Sequence, residues 1–371
     1  MAPILRVGIL GAGEVAQVVH LPVLQMLSHL YTVQSICDIS KENTDHCAAK
    51  FRIPQGTTNP DDLFDNPAVD VVFVLTSDEF HETYTVAALR AGKHVMLEKP
   101  ASLSIPSVRR IIEAERASGR KRVFVGYMRR YAGSFLEAFK RELATIPRIT
   151  YARVRDIIGP HTKFVAESGT EPVRSSGFPE GAAQRRNEAL DRLYAEAFPK
   201  GVIEVTEQEK KLCRWLGGLG SHDVSLMREA FGMPDSVAGV SVTDGFWCAI
   251  FNYRNTGPGF GSFAVTYESG FDQVPNFDAH LAVYGERKRV LIKYDSPYIK
   301  GLPTYVEVDE VTDTGEVQSR RIVSSFEDAY TSEMKDMYEC LVNGRFIKTS
   351  AEDALSDLLI FDMMYKRMKE P

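Results

Sequence analysis

Ile4-Leu5-Arg6-Val7-Gly8-Ile9-Leu10-Gly11-Ala12-Gly13-Glu14-Val15-Ala16 is the stretch that decides the fold class. Its first seven residues are a short apolar run that ends in glycine, as a buried parallel strand does. A helical pattern follows over residues 14–29, and Pro22 is expected to bend or interrupt it. In such a strand–turn–helix, Gly11 permits the tight turn and Gly13 lets the backbone approach a pyrophosphate. Ala16 keeps the helix close to the strand. The free N–H groups and positive dipole end of the helix, around Glu14 and Val15, would face the phosphates.

The alternation continues outward from this unit. Strand-like runs at 33–37, 69–75, 94–97 and 122–125 alternate with helical patterns at 41–51, 80–91 and 105–118. Gly92 and Gly119 stop the last two helices. Strands alternating with helices imply βαβ units and a doubly wound parallel sheet, so the fold class is α/β. Beyond residue 145 the character changes. A strand is expected at 149–158 and a helix at 221–231, closed by Gly232. From 236 to 293 short strands follow one another, with turn signals at 255–259 and 284–286. Strands without intervening helices predict a largely antiparallel open sheet in a C-terminal α+β domain. Two helices close the chain, with capping-box-like starts at Ser325–Asp328 and Ser350–Asp353 and a stop at Asn343–Gly344. The expected division is therefore 1–130 and 131–371.

Within the second part lies a polar, charged stretch around 167–211. Leu190, Leu193, Tyr194 and Phe198 fall near helical spacing in it, which predicts an amphipathic helix. It reads as a lid, an oligomer contact or a solvated decoration.

Composition limits the function classes. The chain has 371 residues, enough for two to three domains at roughly 150 residues each. Its net charge of −6 gives no drive toward nucleic acid or anionic lipid. No run of about 18 apolar residues predicts a membrane span. The five cysteines are scattered without a C-x-x-C pair, so neither a zinc site nor a disulfide framework is signalled. The N-terminal residues lack a signal-peptide pattern, and a cytoplasmic protein is expected.

The chemistry sits at strand ends. Asp38 ends the second strand, where an acidic residue binds the adenosine ribose and disfavours a 2′-phosphate, which favours NAD, while Ser40 and Lys41 just after it could accommodate the phosphate of NADP. Capping the next helix is the other reading of Asp38. Thr76, Ser77 and His81 follow the strongest strand at the ligand crevice, or serve as helix caps. Glu98-Lys99-Pro100 ends the next strand there. A partly desolvated lysine can donate to a substrate hydroxyl and stabilise a developing alkoxide. His222, on a predicted helix, can exchange a proton near neutral pH.

The sequence resembles the glucose–fructose oxidoreductase / inositol dehydrogenase / MocA family. The resemblance rests on Gly11–Ala16, on Thr76–His81, on Ala91-Gly-Lys-His-Val-Met-Leu-Glu-Lys-Pro100 and on Val125-Gly-Tyr-Met-Arg-Arg-Tyr131. It implies a Rossmann domain followed by an open-sheet domain, bound NAD or NADP, and oxidation or reduction of a carbinol carbon. The implied substrate is a sugar, cyclitol or other polyhydroxylated or cyclic compound, and the implied assembly a homodimer or homotetramer. It gives Lys99 contact with substrate and cofactor, makes His222 the general acid/base, and adds Glu98 to the cofactor contacts. Tyr127, Arg130, Asp156 and His161 are the candidate substrate contacts. The family pattern Asp-x-Gly-x-His reads Gly218-Leu-Gly-Ser-His222 here, so its first aspartate is replaced by glycine. Asp223 is not a substitute partner, because adjacent side chains diverge on a helix. A non-catalytic dinucleotide-binding regulator and a redox-neutral lyase or glycosidase with retained NAD share the architecture.

Overall fold

The structure, a computed structural model, describes residues 3–119, 121–175, 177–198, 205–254 and 261–369. The chain divides into two units. The first comprises Met1–Tyr127, Ser168–Gly218 and Glu333–Leu358; the second comprises Met128–Glu167, Leu219–Ser332 and Leu359–Pro371.

The first unit is built on six parallel strands: β1 (Leu5–Leu10), β2 (Tyr31–Cys37), β3 (Gln55–Thr57), β4 (Val71–Val74), β5 (His94–Glu98) and β6 (Val123–Gly126). Their order is β3-β2-β1-β4-β5-β6, so the winding reverses between β1 and β4. Ligands of open α/β sheets bind at that reversal, outside the carboxyl ends of the strands. β4 and β6 are buried along their whole length, which is why they read as continuous apolar runs. Pro22 does not interrupt the first helix. A π-helical turn, Ala16–His20, leads into the α-helical turn Leu21–Met26, and Pro22 sits in the first turn of the latter. The change of hydrogen-bond register absorbs the missing N–H, and the helix ends at Met26, short of the expected residue 29.

The second unit is built on an eight-stranded sheet: β7 (Ile149–Ile158), β8 (Ser236–Thr243), β9 (Phe246–Arg254), β10 (Ser262–Phe271), β11 (Phe277–Gly285), β12 (Lys288–Tyr294), β13 (Tyr305–Val311) and β14 (Val317–Ile322). The order is β14-β13-β12-β11-β7-β10-β9-β8, and neighbours are antiparallel except β7 with β10. β7 arrives from far upstream and inserts between β10 and β11, which produces the one parallel pair. Strand alternation is plain in β9, where Trp247, Ala249, Phe251 and Tyr253 are buried and Phe246, Cys248 and Ile250 are exposed. The helix Ser221–Phe231 ends at Gly232, which adopts φ 82°.

Four expectations need correction or qualification. A single division at residue 130 does not occur. Residues 168–218 and 333–358 belong to the first unit because they bond to it: Arg110 holds Glu196, Arg186 holds Glu79, Met334 O accepts from the Tyr31 hydroxyl, and the Tyr338 hydroxyl donates to Pro3 O. Two strands lie beyond residue 293. β13 alternates, with Val306 and Val308 buried and Glu307 and Asp309 exposed, whereas β14 is polar and carries no apolar alternation. The helix Ala329–Val342 is capped by Asp328, whose carboxylate accepts from Thr331 N at 3.1 Å; Ser325 is not its cap. The turn expected at Asn255–Gly259 lies outside the described residues.

The stretch 167–211 does contain helices, Ala182–Ala197 and the first part of Glu207–Trp215, the second opened by a Thr206/Glu209 capping box. Leu193 and Phe198 are buried, as their spacing suggested. Residues 176 and 199–204 of this stretch lie outside the described residues. Among the described residues no helix is long and apolar enough to cross a membrane.

Candidate active site

β1 ends at Leu10, and Gly11 turns the chain with φ 104°. A Cβ on Gly11 would stand 2.6 Å from Leu75 O, so backbone packing against the end of β4 requires glycine there. A Cβ on Gly13 would meet nothing within 4 Å. The space in front of Gly13 is open, and Gly13, Glu14 and Val15 are half-buried at the start of the helix. The helix leaves its first N–H groups without partners of its own, which suits an anionic group.

Asp38, at the end of β2, joins two loops. Its Oδ2 accepts from Ala12 N and its Oδ1 from Ser40 N, each at 2.7 Å. The cap of the next helix, Lys41–Phe51, is Ser40, whose hydroxyl accepts from Asn43 N. Asp38 is therefore not the cap, and its half-buried carboxylate keeps acceptor capacity beside the glycine turn. Burial raises its pKa, against the two backbone bonds. After β4, the Thr76 hydroxyl oxygen is buried without a hydrogen-bond partner among the described residues, and Ser77 is exposed. A bare Gly13, an unused Thr76 hydroxyl and an acceptor at Asp38 fit a dinucleotide.

Two of the expected cofactor contacts, His81 and Glu98, bond within the protein. His81 is buried, with Nδ1 2.7 Å from Pro100 O and Nε2 2.9 Å from Thr76 O. The ring N–H donates to one of these backbone carbonyls, so His81 braces the β4 loop against the β5 loop. Glu98 is also buried. Its Oε1 takes His20 Nε2 at 2.8 Å and its Oε2 takes the Lys99 backbone N–H at 3.0 Å. Burial pushes the Glu98 carboxyl up, but the His20 bond and charge, with Lys99, outweigh it and hold the group below its ordinary value. Lys99, half-buried, extends Nζ to Gly218 O at 2.5 Å. A main-chain carbonyl thus receives the ammonium at the position where the family pattern has an aspartate.

In the second unit His222 is buried in the helix Ser221–Phe231. The neighbouring Asp223 turns to Arg129, and Arg129 Nη2 also holds Asp156 at 2.8 Å. The guanidinium lies 5.0 Å from the centre of the Tyr294 ring. One cation faces two buried carboxylates. Burial and the Asp156 charge push Asp223 well above the ordinary range, against Arg129. Asp156 is 0% exposed, Arg130 4% and Tyr127 2%. Asp156 pairs with Arg129, and Arg130 shares Glu229 with Lys140. His161 remains half-buried between the rings of Phe277 and Tyr298. Arg129 was missed because nothing local distinguishes it from Arg130.

Comparison with known proteins agrees with this geometry. A model of the oxidoreductase family with an NAD-binding Rossmann fold matches residues 5–127. An inositol 2-dehydrogenase from Paracoccus denitrificans is 32% identical over 144 residues, 38% of this chain and 42% of that protein. The chain thus spans about two-fifths of the curated relatives that it matches at this level. A myo-inositol 2-dehydrogenase from Thermotoga maritima is 22% identical over 369 residues, 99% of this chain and 97% of that protein. A levoglucosan dehydrogenase solved with NADH and levoglucosan shares the fold, with a TM-score of 0.72 at 15% identity, over 98% of this chain and 96% of that one.

Proposed function

We propose that this chain, whose residues 5–127 match the model of the oxidoreductase family with an NAD-binding Rossmann fold, is an NAD(P)-dependent oxidoreductase of the Gfo/Idh/MocA family acting on a CH–OH or ketone carbon of a sugar, cyclitol or related polyol. The observation that carries the reading is the placement of Lys99. Its backbone is anchored by buried Glu98 and its Nζ is held by Gly218 O, in the same unit as the bare turn at Gly13.

When bound, the nicotinamide supplies the hydride acceptor or donor. Gly11, Gly13, Glu14 and Val15 frame the pyrophosphate, with the helix start as the anion-favouring end. Asp38 accepts from the adenosine ribose hydroxyls, and its charge disfavours a 2′-phosphate, which makes NAD the preferred cofactor. Thr76 donates its unused hydroxyl to the cofactor. Lys99 donates to the substrate oxygen, orients it and stabilises its partial negative charge as the C–H bond breaks. His222 exchanges the hydroxyl proton, and Tyr127, Arg130, Asp156 and His161 are the candidate substrate contacts. Assembly as a homodimer or homotetramer belongs to the same reading; Phe246 and Ile250, 36% and 43% exposed on one face of β9, support it.

The test is Lys99→Met, assayed by appearance of reduced nicotinamide against a panel of sugars, cyclitols and cyclic diols. Loss of one oxyanion donor lowers turnover by about 10²–10³, with NADH still bound. Turnover near that of the unvaried protein removes the assignment. Cofactor binding without turnover on any substrate favours the regulatory reading.

A further inference from the structure

We propose that residues 168–175 clasp the adenosine end of the nucleotide cradle, so that release of a bound dinucleotide is slowed. The inference rests on the reading of the glycine turn and Asp38 as a dinucleotide site.

The argument starts at Gln17, a buried amide in the first helix. Its Nε2 donates to Ala12 O at 2.8 Å and to Val173 O at 3.0 Å, and its Oε1 accepts from Val173 N at 2.8 Å. One side chain therefore binds the glycine turn with one hydrogen and the main chain of residue 173 with the rest of its amide. The next residue, Arg174, pairs with Glu14, in the first turn of the same helix. The one after it, Ser175, donates its N–H to Asn43 Oδ1 at 3.2 Å, in the first turn of Lys41–Phe51. Lys50, later in that helix, donates to Thr170 O and lies 3.4 Å from Glu171 O. Three consecutive residues thus cross from the helix after β1 to the helix after β2. Asp38 lies in the loop joining β2 to that second helix, and is bonded to Ala12 of the turn.

The crossing is costly to the chain and is held by its partners. Glu171 adopts φ 43°, a left-handed conformation that a residue with a side chain rarely takes. Nothing in a doubly wound sheet requires such a crossing; both helices are complete without it. Its position closes the outer side of the cradle at the ribose end. Release of a dinucleotide seated on Gly13 and Asp38 then requires Val173 and Ser175 to detach first.

The experiment follows exchange in the full chain. NADH is bound, and its release is timed by fluorescence after addition of excess NAD. The comparison is a double variant, Val173→Pro with Arg174→Ala, which removes the N–H given to Gln17 and the pair with Glu14. Release from the variant is expected to be about tenfold or more faster than from the unvaried protein. Equal release rates overturn the clasp. If neither protein binds NADH, it is the dinucleotide reading that fails. Tryptic cleavage after Arg174 in the unvaried protein is the second measurement, and it decides the matter should the variant not fold. NADH is expected to slow that cleavage, and an unchanged rate overturns the proposal.

Discussion

Alanine at Gly11 and alanine at Gly13 should have opposite consequences, although the two positions are separated by one residue. At Gly11 the new Cβ would lie 2.6 Å from Leu75 O, 2.7 Å from Leu75 C and 2.9 Å from Thr76 N, all backbone atoms, at φ 104°. The left-handed conformation costs an L residue about 1–2 kcal/mol. Overpacking against atoms that cannot rotate away adds about 1–3 kcal/mol. Gly11→Ala should therefore lose about 2–5 kcal/mol of stability, read as a lower urea midpoint at unchanged slope. At Gly13 the Cβ meets nothing within 4 Å, and Gly13 is not among the glycines with positive φ. Gly13→Ala should fold within about 0.5 kcal/mol of the parent. Its methyl group would stand in the space assigned to the pyrophosphate. Each charge-assisted hydrogen bond it displaces costs about 1.5–3 kcal/mol, or roughly ten- to over a hundredfold in Kd. Urea unfolding and NADH titration on the same two variants check both halves. An unchanged NADH affinity in Gly13→Ala would refute the seating of the phosphates on this turn. Parent-like stability in Gly11→Ala would refute the packing argument.

Three further outcomes follow from buried charge. Glu333 is buried in the first unit, with neither carboxyl oxygen bonded among the described residues, and burial followed by the Glu98 charge pushes it well above the ordinary glutamate value. A carboxyl raised on folding costs stability above its unfolded value and none below it, so Glu333→Met should stabilise by about 1–3 kcal/mol at neutral pH. That gain should vanish on acidification below the ordinary carboxylate range, as pH-dependent thermal unfolding would record. Arg129→Met leaves Asp156 and Asp223 buried without their cation and should cost about 3–5 kcal/mol at neutral pH, with part regained in acid as the carboxyls protonate. Denaturant melts at two pH values check it. Asp38→Asn removes the charge beside the ribose site, and the ratio of NADPH to NADH affinity, measured by titration, should rise.

The sequence is most legible where an apolar run is bounded by a glycine signal or is buried throughout. The β1 turn, the β4 run and the helix Ser221–Phe231 were readable because burial there is nearly continuous and glycines close the first and last. Asp156 shows what pattern reading can and cannot extract. It falls on the same face of β7 as Ala152, Val154 and Ile158, so its burial follows from alternation, yet nothing local names Arg129 as the cation that makes burial tolerable. His81 and Glu98 lie at the right strand ends, but whether such a side chain turns to a ligand or to the loop beside it depends on partners elsewhere in the chain. The bonds from Gln17 to Val173 and from Asn43 to Ser175 join residues more than a hundred positions apart, and no local signal marks them.

The interleaving of the two units also fixes an order of events during synthesis. β6 is an edge strand, and its Val125 N–H is taken by Thr349 O at 2.8 Å, while Tyr31 waits for Met334 O. At about 5–20 residues per second, the six strands leave the ribosome many seconds before the residues that close their edge and satisfy that tyrosine. The half that begins first is thus finished late, and a nascent chain stalled anywhere after residue 127 and before residue 333 presents an open strand edge. For the same reason residues 1–127, though they carry the whole match to the family model, are not a fragment that can be excised and expected to behave as the intact protein does.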